Sequence, residues 1–521
     1  MEAGALPSEF VDVTTEAALE EKSKLKRHFG RFDILFFLIC TIVGLDTLGT
    51  VASNGAQGFT WLIFLSIFFF VPYALLTAEL GAAFPEEGGC YEWMKLSFGR
   101  FVAGVNSVIY WLSNPIWLGG VLAITALTTF STFFTDISTG FWRYVFLLGF
   151  IWFAVWGAIL SFSIGKWIPT IGAFARVILL GFFSLSVLIY AIKHGVHGFG
   201  AGSFKPTYAI FIAAVPVLFF NFVGFELPNA AGEEMTNAKR DVPFTILRAA
   251  GASILLYGVP VLMILLVLPT GQVTNLGGFI DAMKTVFTIY GGSVAADGTA
   301  TLTGAGHVLG DLAALGFIWV LMSSGATWIM GADRTQAVAG YDGAAPRELG
   351  VFSKRWGTPI VVNLLSGIVA TIVMVLASVL SSGSSQKYFS VVLGLAISTT
   401  TISYILIFPC VIKLRYSHAH VPRPFKIPGG MAMVWVVGVL CTAWSVFAAV
   451  VLLWPGIGTS NPNSALDSLG FSGQRWQYEA AEFIPLAVII VLGVIFYALG
   501  APTRKRTAIV PLVESEAAAP A

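Results

Sequence analysis

Two carboxylates stand where the chain is otherwise apolar. Asp46 lies in GLDTLG (Gly44–Gly49), between the hydrophobic or small runs DILFFLICTIV and TVASNGAQGF. Glu226 lies in VGFELPNAAG (Val223–Gly232), with Gly224 and Pro228 close by. A charge at the centre of a membrane helix costs roughly 2.5–3.5 kcal/mol on insertion scales, so such residues face a cavity or a partner and do work. Glycine weakens a helix at that depth, and proline removes a backbone donor and opens the hydrogen-bond ladder. A broken helix with an ionisable group at mid-membrane is how secondary transporters build a solute site. Asp46 has three readings: counter-ion for a substrate, proton carrier, or cap for the unwound backbone. Desolvation disfavours the charged form of a carboxylate, which suits the second.

The elements around these residues follow from composition. Of 521 residues, 56% are hydrophobic and 11% are charged, against about 25% charged in a soluble globular chain. Apolar runs near 20 residues, rather than alternating ten-residue strands, make this an all-α integral membrane protein. Twelve runs are expected to span: 33–55, 59–83, 101–132, 143–163, 168–192, 207–231, 244–268, 307–334, 359–380, 388–412, 432–454 and 481–500. With the N-terminus inside, six of the 29 lysines and arginines fall outside (Arg143, Lys193, Lys205, Lys284, Lys387 and Arg475) and Arg176 falls within a span. The rest are cytoplasmic, the bias expected of an even count with both ends inside. The net charge of +1 says nothing about partners.

The interruptions fall in the first and sixth runs. That is the spacing of two inverted repeats of five helices, with the last two helices appended. The expected organisation is an N-terminal tail (1–30), a ten-helix core (31–430, with repeats about 31–192 and 207–412), helices 11 and 12 (431–500) and a C-terminal tail (501–521). No cleavable leader is read in the basic segment EEKSKLKRHFGR, and both tails are expected to be disordered. Cys40, Cys90, Cys410 and Cys441 show no metal or disulfide spacing and read as small buried hydrophobes. The segment GGFIDAMKTVFTIYGG could be an interfacial helix with Phe279, Met283 and Phe287 on one side, either a lid or packed surface.

Three stretches resemble the amino acid–polyamine–organocation (APC) permeases. AELGAAFPEEGGCYEWMKLSFG (Ala78–Gly99) is similar to that family's E-L-x-x-x-x-P-x-x-G-G-x-Y signature. FNFVGFELPNAAGEEMTNAKRDVP (Phe220–Pro243) is similar to its F-x-G-x-E and E-x-x-N-P-x-R-x-x-P pattern, with Ala238 in place of the usual proline. ATWIMGADRTQAVAGYDGAAPRELGVFSKRWGTP (Ala326–Pro359) is similar to its R-x-x-x-A-x-A-x-D-G-x-x-P and G-T-P stretch. The resemblance implies a 5+5 inverted-repeat (LeuT-like) core with broken helices 1 and 6, and alternating access.

The family's first-helix motif, G-S/A-G-I/V-F-G, laid over this chain gives Gly44, Leu45, Asp46, Thr47, Leu48 and Gly49, so Asp46 replaces the second glycine. In the family, exposed amides here hold a substrate carboxylate, as helix N-termini hold anions. A fixed carboxylate repels that group and favours an ammonium, which tilts the substrate towards an amine or polyamine. The resemblance to arginine/agmatine antiporters implies that Glu226 couples substrate or proton state to gating; a tie between two helices is the other reading. It also implies that Phe220 is an aromatic gate and Trp328 a pocket residue, where cation–π attraction would help; plain packing is the alternative. The resemblance also implies that Arg176 falls where sodium-coupled relatives bind sodium. It cannot release a proton, so it either braces the first helix or snorkels to the interface.

The expected binding residues are therefore Gly44, Asp46, Thr47, Gly49, Phe220, Asn221, Gly224, Phe225, Glu226 and Trp328, with Asp46, Glu226 and Arg176 in coupling. Glu79 reads as structural or gating, and His307 with Asp311 as a helix start favoured by its dipole. Glu233, Glu234, Lys239, Arg240 and Asp241 read as loop contacts of the cycle or as a solvated loop. The basic ends Lys22–Arg31 and Arg504–Arg506 read as topology signals beside anionic lipid. No phosphate loop, metal cluster, nucleophile–base set or nucleic-acid site is seen, and no cofactor is expected. The expected protein is a multi-pass permease of the plasma membrane (inner membrane in a bacterium) for amino acids or related amines, by proton coupling or exchange. The alternatives are a solute sensor on a transporter fold, and a neutral or acidic amino acid permease with Asp46 protonated. The oligomeric state is not read from the sequence.

Overall fold

The computed structural model describes residues 11–160, 165–196, 200–269, 272–274, 276–380 and 385–511. Among the described residues, ten helices are long and apolar enough to cross a membrane, from Gly55–Ala83 to Arg475–Leu499. Each falls on one of the expected apolar runs, with ends shifted by a few residues. The helix on the fourth run, Gly140–Ile159, ends one residue before the described stretch does, and 161–163 of that run lie outside the described residues.

The remaining two runs are the interrupted ones, and both are cut. Helix α1 (Arg31–Ile42) ends at Val43, and a short helix α2 (Leu48–Ala52) resumes after five residues. Seven helices matter for the site between here and the C-terminus: α3 (Val71–Ala83), α4 (Arg100–Trp117), α5 (Trp167–His194), α6 (Tyr208–Asn221), α7 (Ala238–Val267), α8 (Gly304–Tyr341) and α9 (Ser385–Ile407). Helix α6 stops at Asn221, and the chain re-forms as a 3-10 segment, Leu227–Glu234. Gly224 makes this second break sterically feasible. Its φ is +124°, and a Cβ there would stand 2.6 Å from Thr41 Cγ2 and 3.0 Å from the Trp328 ring, a conformation open to glycine alone.

The described parts of the tails, residues 11–30 and 501–511, are folded rather than disordered, and residues 1–10 and 512–521 lie outside the described residues. Val11–Thr15 pairs antiparallel with Thr507–Pro511, so both ends share one face of the molecule. Helix Glu16–Lys22 docks behind that strand. Thr15 Oγ1 donates to Tyr341 O at 2.6 Å, Glu21 pairs with Arg347 at 2.5 Å, and Lys22 pairs with Glu233 at 2.5 Å. Charge-rich sequence reads as solvated, but here its partners are distant in the chain. Burial pushes the Glu21 carboxyl up; Lys24, Arg347 and the Phe352 amide outweigh it and hold the group below 4.5. The segment between the second and third runs, expected as a loop, contains a buried helix, Cys90–Phe98.

This terminal face is closed by ion pairs. Arg334 bonds both Glu87 (2.9 Å) and Glu234, Arg31 bonds Asp241 (2.7 Å), and Lys166 bonds Asp33 (2.9 Å). Glu79 accepts from Arg415 at 2.5 Å and from the Ile427 amide at 2.8 Å, a tie between α3 and the segment after α9. Of the loop charges, Lys239 and Arg240 stay exposed. On the opposite face, helix Gly278–Phe287 buries Phe279, Met283 and Phe287. Gly278 sits on α2, where a Cβ would come 3.0 Å from Gly49 Cα. His307 Nδ1 meets Asp311 at 3.0 Å one turn on. The four cysteines are free and buried.

Candidate functional site

The end of α1 exposes four carbonyls that have no helical partner. Side chains from three other helices satisfy them. Arg176 on α5 donates through Nη2 to Cys40 O (3.1 Å) and through Nε to Val43 O (2.8 Å). Trp328 on α8 donates to Thr41 O (2.9 Å), and Tyr257 on α7 donates to Ile42 O (2.7 Å). Each such carbonyl left bare inside the bundle would cost about 1–3 kcal/mol. Arg176 also reaches Val320 O, Ser323 Oγ and Ser324 Oγ on α8, and it is fully buried. It braces the break, and snorkelling to the interface is excluded.

Asp46 follows on the unwound strand. Its Oδ2 accepts from Trp117 Nε1 at 2.8 Å. The Gly44 amide donates to Tyr257 Oη at 2.9 Å, so that donor is taken. Asp46 and Gly44 line a cavity of about 20 Å³ with Trp117, Phe220, Asn221 and Trp328. Trp117 meets Phe220 and Trp328 edge-on, with ring centroids 5.8 and 6.2 Å apart. Asn221 Oδ1 accepts from Thr47 Oγ1 at 2.6 Å, while its Nδ2 has no hydrogen-bond partner among the described residues. A volume this small holds water rather than a solute, so the closed aromatic box must expand to admit one.

Glu226 stands apart from the cavity. It is 1% exposed, and its carboxylate accepts from three tyrosine hydroxyls: Tyr73 on α3, Tyr110 on α4 (2.7 Å) and Tyr404 on α9 (2.5 Å). Gly49, Gly224 and Phe225 also lie off the cavity wall. Thr47 acts at one remove, through Asn221. Of the expected binding residues, the structure thus gathers Gly44, Asp46, Phe220, Asn221 and Trp328 at one wall.

Sequence reasoning missed Trp117 and Tyr257, and the cavity residues Ser113, Asn114 and Thr400. Asn114 in LSNPIW was a polar residue beside a proline in an apolar run, and that was a usable signal. A tyrosine or tryptophan in such a run carries none. Another buried carboxylate, Asp333 on α8, was also passed over; it accepts from Trp111 Nε1 (3.0 Å), Ser366 Oγ (2.7 Å) and Asn363 Nδ2 (2.6 Å). Among the described residues no cluster of three or more His, Cys, Asp or Glu could hold a metal ion.

Comparison with known proteins places this geometry. The chain is 26% identical over 490 residues, 92% of its length and 95% of the relative's, to the probable agmatine/putrescine antiporter AguD of Lactococcus lactis. It is 26% identical to an uncharacterized transporter of Legionella pneumophila, over 78% of this chain and 87% of that one. Its fold is shared with a crystal structure of an Eremococcus coleocola manganese transporter, at TM-score 0.58 and 12% identity, covering 91% and 94% of the two chains. These relatives are transporters and not enzymes. A family model described as amino acid permease matches residues 29–466, and the chain belongs to that family, within the APC superfamily of membrane permeases.

Proposed function

We propose that this permease exchanges or symports an amine that lacks an α-carboxylate, with Asp46 as its counter-ion. The observation that carries this reading is the Asp46 carboxylate itself. It lies in the first helix break, bonded by Trp117, while Tyr257 occupies the Gly44 amide. In an amino acid permease those amides would be free to hold a substrate carboxylate. Here a resident carboxylate takes their place and presents a negative charge to the cavity. A second anion there would meet like-charge repulsion in a low dielectric, whereas an ammonium would be attracted to the carboxylate and to the faces of Trp117, Phe220 and Trp328. The agmatine/putrescine antiporter to which the chain is similar supports the same substrate class.

The proposed cycle uses the two breaks. The segments 31–52 and 208–234 complete twelve crossings, arranged as two inverted repeats of five plus two helices. The ammonium meets Asp46 and the carbonyls near Asn221–Phe225, and Phe220 and Trp328 close over it. The bundle carrying both breaks then rocks against the rest, and the ion pairs of the terminal face part to release solute into the cytoplasm or to take it up. Glu226 acts in coupling, through its tyrosine cage and not by touching solute. Arg176 fills the ion's place with a fixed charge, so a proton or an exchanged solute, rather than sodium, drives the cycle. The termini lie in the cytoplasm and the protein resides in the plasma membrane.

The test is uptake into sealed proteoliposomes. Labelled agmatine or putrescine should accumulate when either amine is loaded inside, and arginine should compete weakly. Binding without flux would support a sensor. Flux of arginine or a neutral amino acid in preference to the amines would overturn the assignment of Asp46.

A further inference from the structure

Two tyrosines repair the two helix breaks in the same way. Tyr257 Oη bridges the first: it accepts from the Gly44 amide (2.9 Å) and donates to Ile42 O (2.7 Å). Tyr73 Oη bridges the second: it accepts from the Gly224 amide (3.0 Å) and the Phe225 amide (2.9 Å), and donates to Glu226. Both side chains are buried, at 1% and 0% exposure. Each phenol stands where the missing turn of helix would have supplied an acceptor or a donor, and each ties the break to a different, unbroken helix. Tyr73 sits on α3, which follows the first break in sequence, yet it serves the second. Tyr257 sits on α7, which follows the second break, yet it serves the first.

We propose that Tyr73 and Tyr257 are a crossed pair of positioning residues, each helix after a break holding the opposite break in its unwound shape. In the inverted-repeat arrangement proposed above, α3 and α7 are equivalent helices, so the pair is one device used twice. Its consequence is a bundle of both broken segments and both following helices that moves as a unit, because neither break can lengthen or rewind without releasing a phenol. The device also separates two tasks. The Tyr257 hydroxyl fixes the backbone that carries Asp46, whereas the Tyr73 hydroxyl fixes the backbone that carries Glu226. Neither tyrosine needs to touch solute for this role. Removing the Tyr73 hydroxyl leaves the Gly224 and Phe225 amides unpaired, whereas removing the Tyr257 hydroxyl leaves the Gly44 amide and Ile42 O with their mutual 2.9 Å contact alone, so each loss falls at one break only.

A thiol-labelling experiment tests the pairing without reference to any solute. Two single-cysteine proteins are made in a background lacking the other cysteines. One keeps native Cys40 on the last turn before the first break, and the other carries Val223→Cys in the second break. Tyr257→Phe should speed labelling of Cys40 by a small methanethiosulfonate at least 10-fold and leave labelling of the Val223→Cys protein within 2-fold, and Tyr73→Phe should do the reverse. Equal loosening at both probes by either variant, or no change at either, would overturn the proposal. A second arm rests on the amine reading and uses agmatine. Tyr257→Phe should raise KM roughly 10-fold with kcat kept, and Tyr73→Phe should lower kcat with KM kept. If wild type does not bind agmatine, the substrate reading fails while the labelling result still decides the tyrosines. Unfolding midpoints of all variants, measured first, exclude a general loss of fold.

Discussion

Asp46 and Glu226 are both buried carboxylates beside a helix break, and their surroundings differ. Asp46 has one side-chain donor, Trp117, and a face on the cavity, which leaves acceptor capacity for a cation. Glu226 has three phenolic donors and no cavity face. A carboxylate offers about four lone-pair sites, so the first is under-used and the second nearly saturated. On the reading proposed above, the same residue chemistry at two breaks serves as a recognition group in one place and a latch in the other. What separates them is the partner set from neighbouring helices, not the local sequence.

The comparison can be broken most sharply by neutralising each acid in turn. Asp46→Asn removes the counter-ion, and agmatine affinity should fall roughly 100-fold, about 2.7 kcal/mol, in a calorimetric titration. Glu226→Gln should leave that affinity within 3-fold while exchange slows by an order of magnitude; an equal loss of affinity in both variants would merge the two roles. Next in size is the brace. Arg176→Met strips the Cys40 and Val43 carbonyls of their donor, and the unfolding midpoint should drop by an amount equivalent to about 2–4 kcal/mol, with binding lost as well.

Smaller effects sharpen the boundary. Trp117→Phe keeps a ring in the box but removes the indole N–H from Asp46, so affinity should fall about 5-fold, in the range of one hydrogen bond. The terminal clasp should respond to acid. The Glu21 carboxyl sits below its ordinary value of 4.5, so its contribution to docking is complete above that pH. It is lost as pH falls through the lowered value, where the folded segment must take up a proton. Protection of the amides of residues 14–22, taken relative to intrinsic exchange at each pH, should therefore fall in strong acid and stay flat between pH 5 and 8, and Glu21→Gln should flatten the acid response.

Much of the frame was legible because it rests on hydropathy and on glycine and proline. The long apolar runs gave their helices to within a few residues, and GLDTLG and GFELP marked the breaks. Asp46 was legible for the same reason: it was a lone charge in an apolar run. What stayed hidden were contacts between helices distant in sequence. Tyr73, Tyr110, Tyr404 and Tyr257 look like ordinary membrane aromatics until the fold brings their hydroxyls to a break. Glu226 was expected in the binding wall because it neighbours the break, but burial behind Tyr73 removes it. The docked tail was hidden in a different way. Its charges read as solvated, and their partners Arg347 and Glu233 lie some 200 to 330 residues on.

The most direct test of the central claim restores the glycine that the family motif expects. Agmatine and arginine differ only in the α-carboxylate, so thermal stabilisation by each should be measured on wild type and on Asp46→Gly. The account predicts that wild type is stabilised by agmatine and not by arginine, and that Asp46→Gly loses agmatine and gains arginine as the seat in the first break is vacated. Equal stabilisation of wild type by both compounds, or an Asp46→Gly protein that still prefers agmatine, would contradict it.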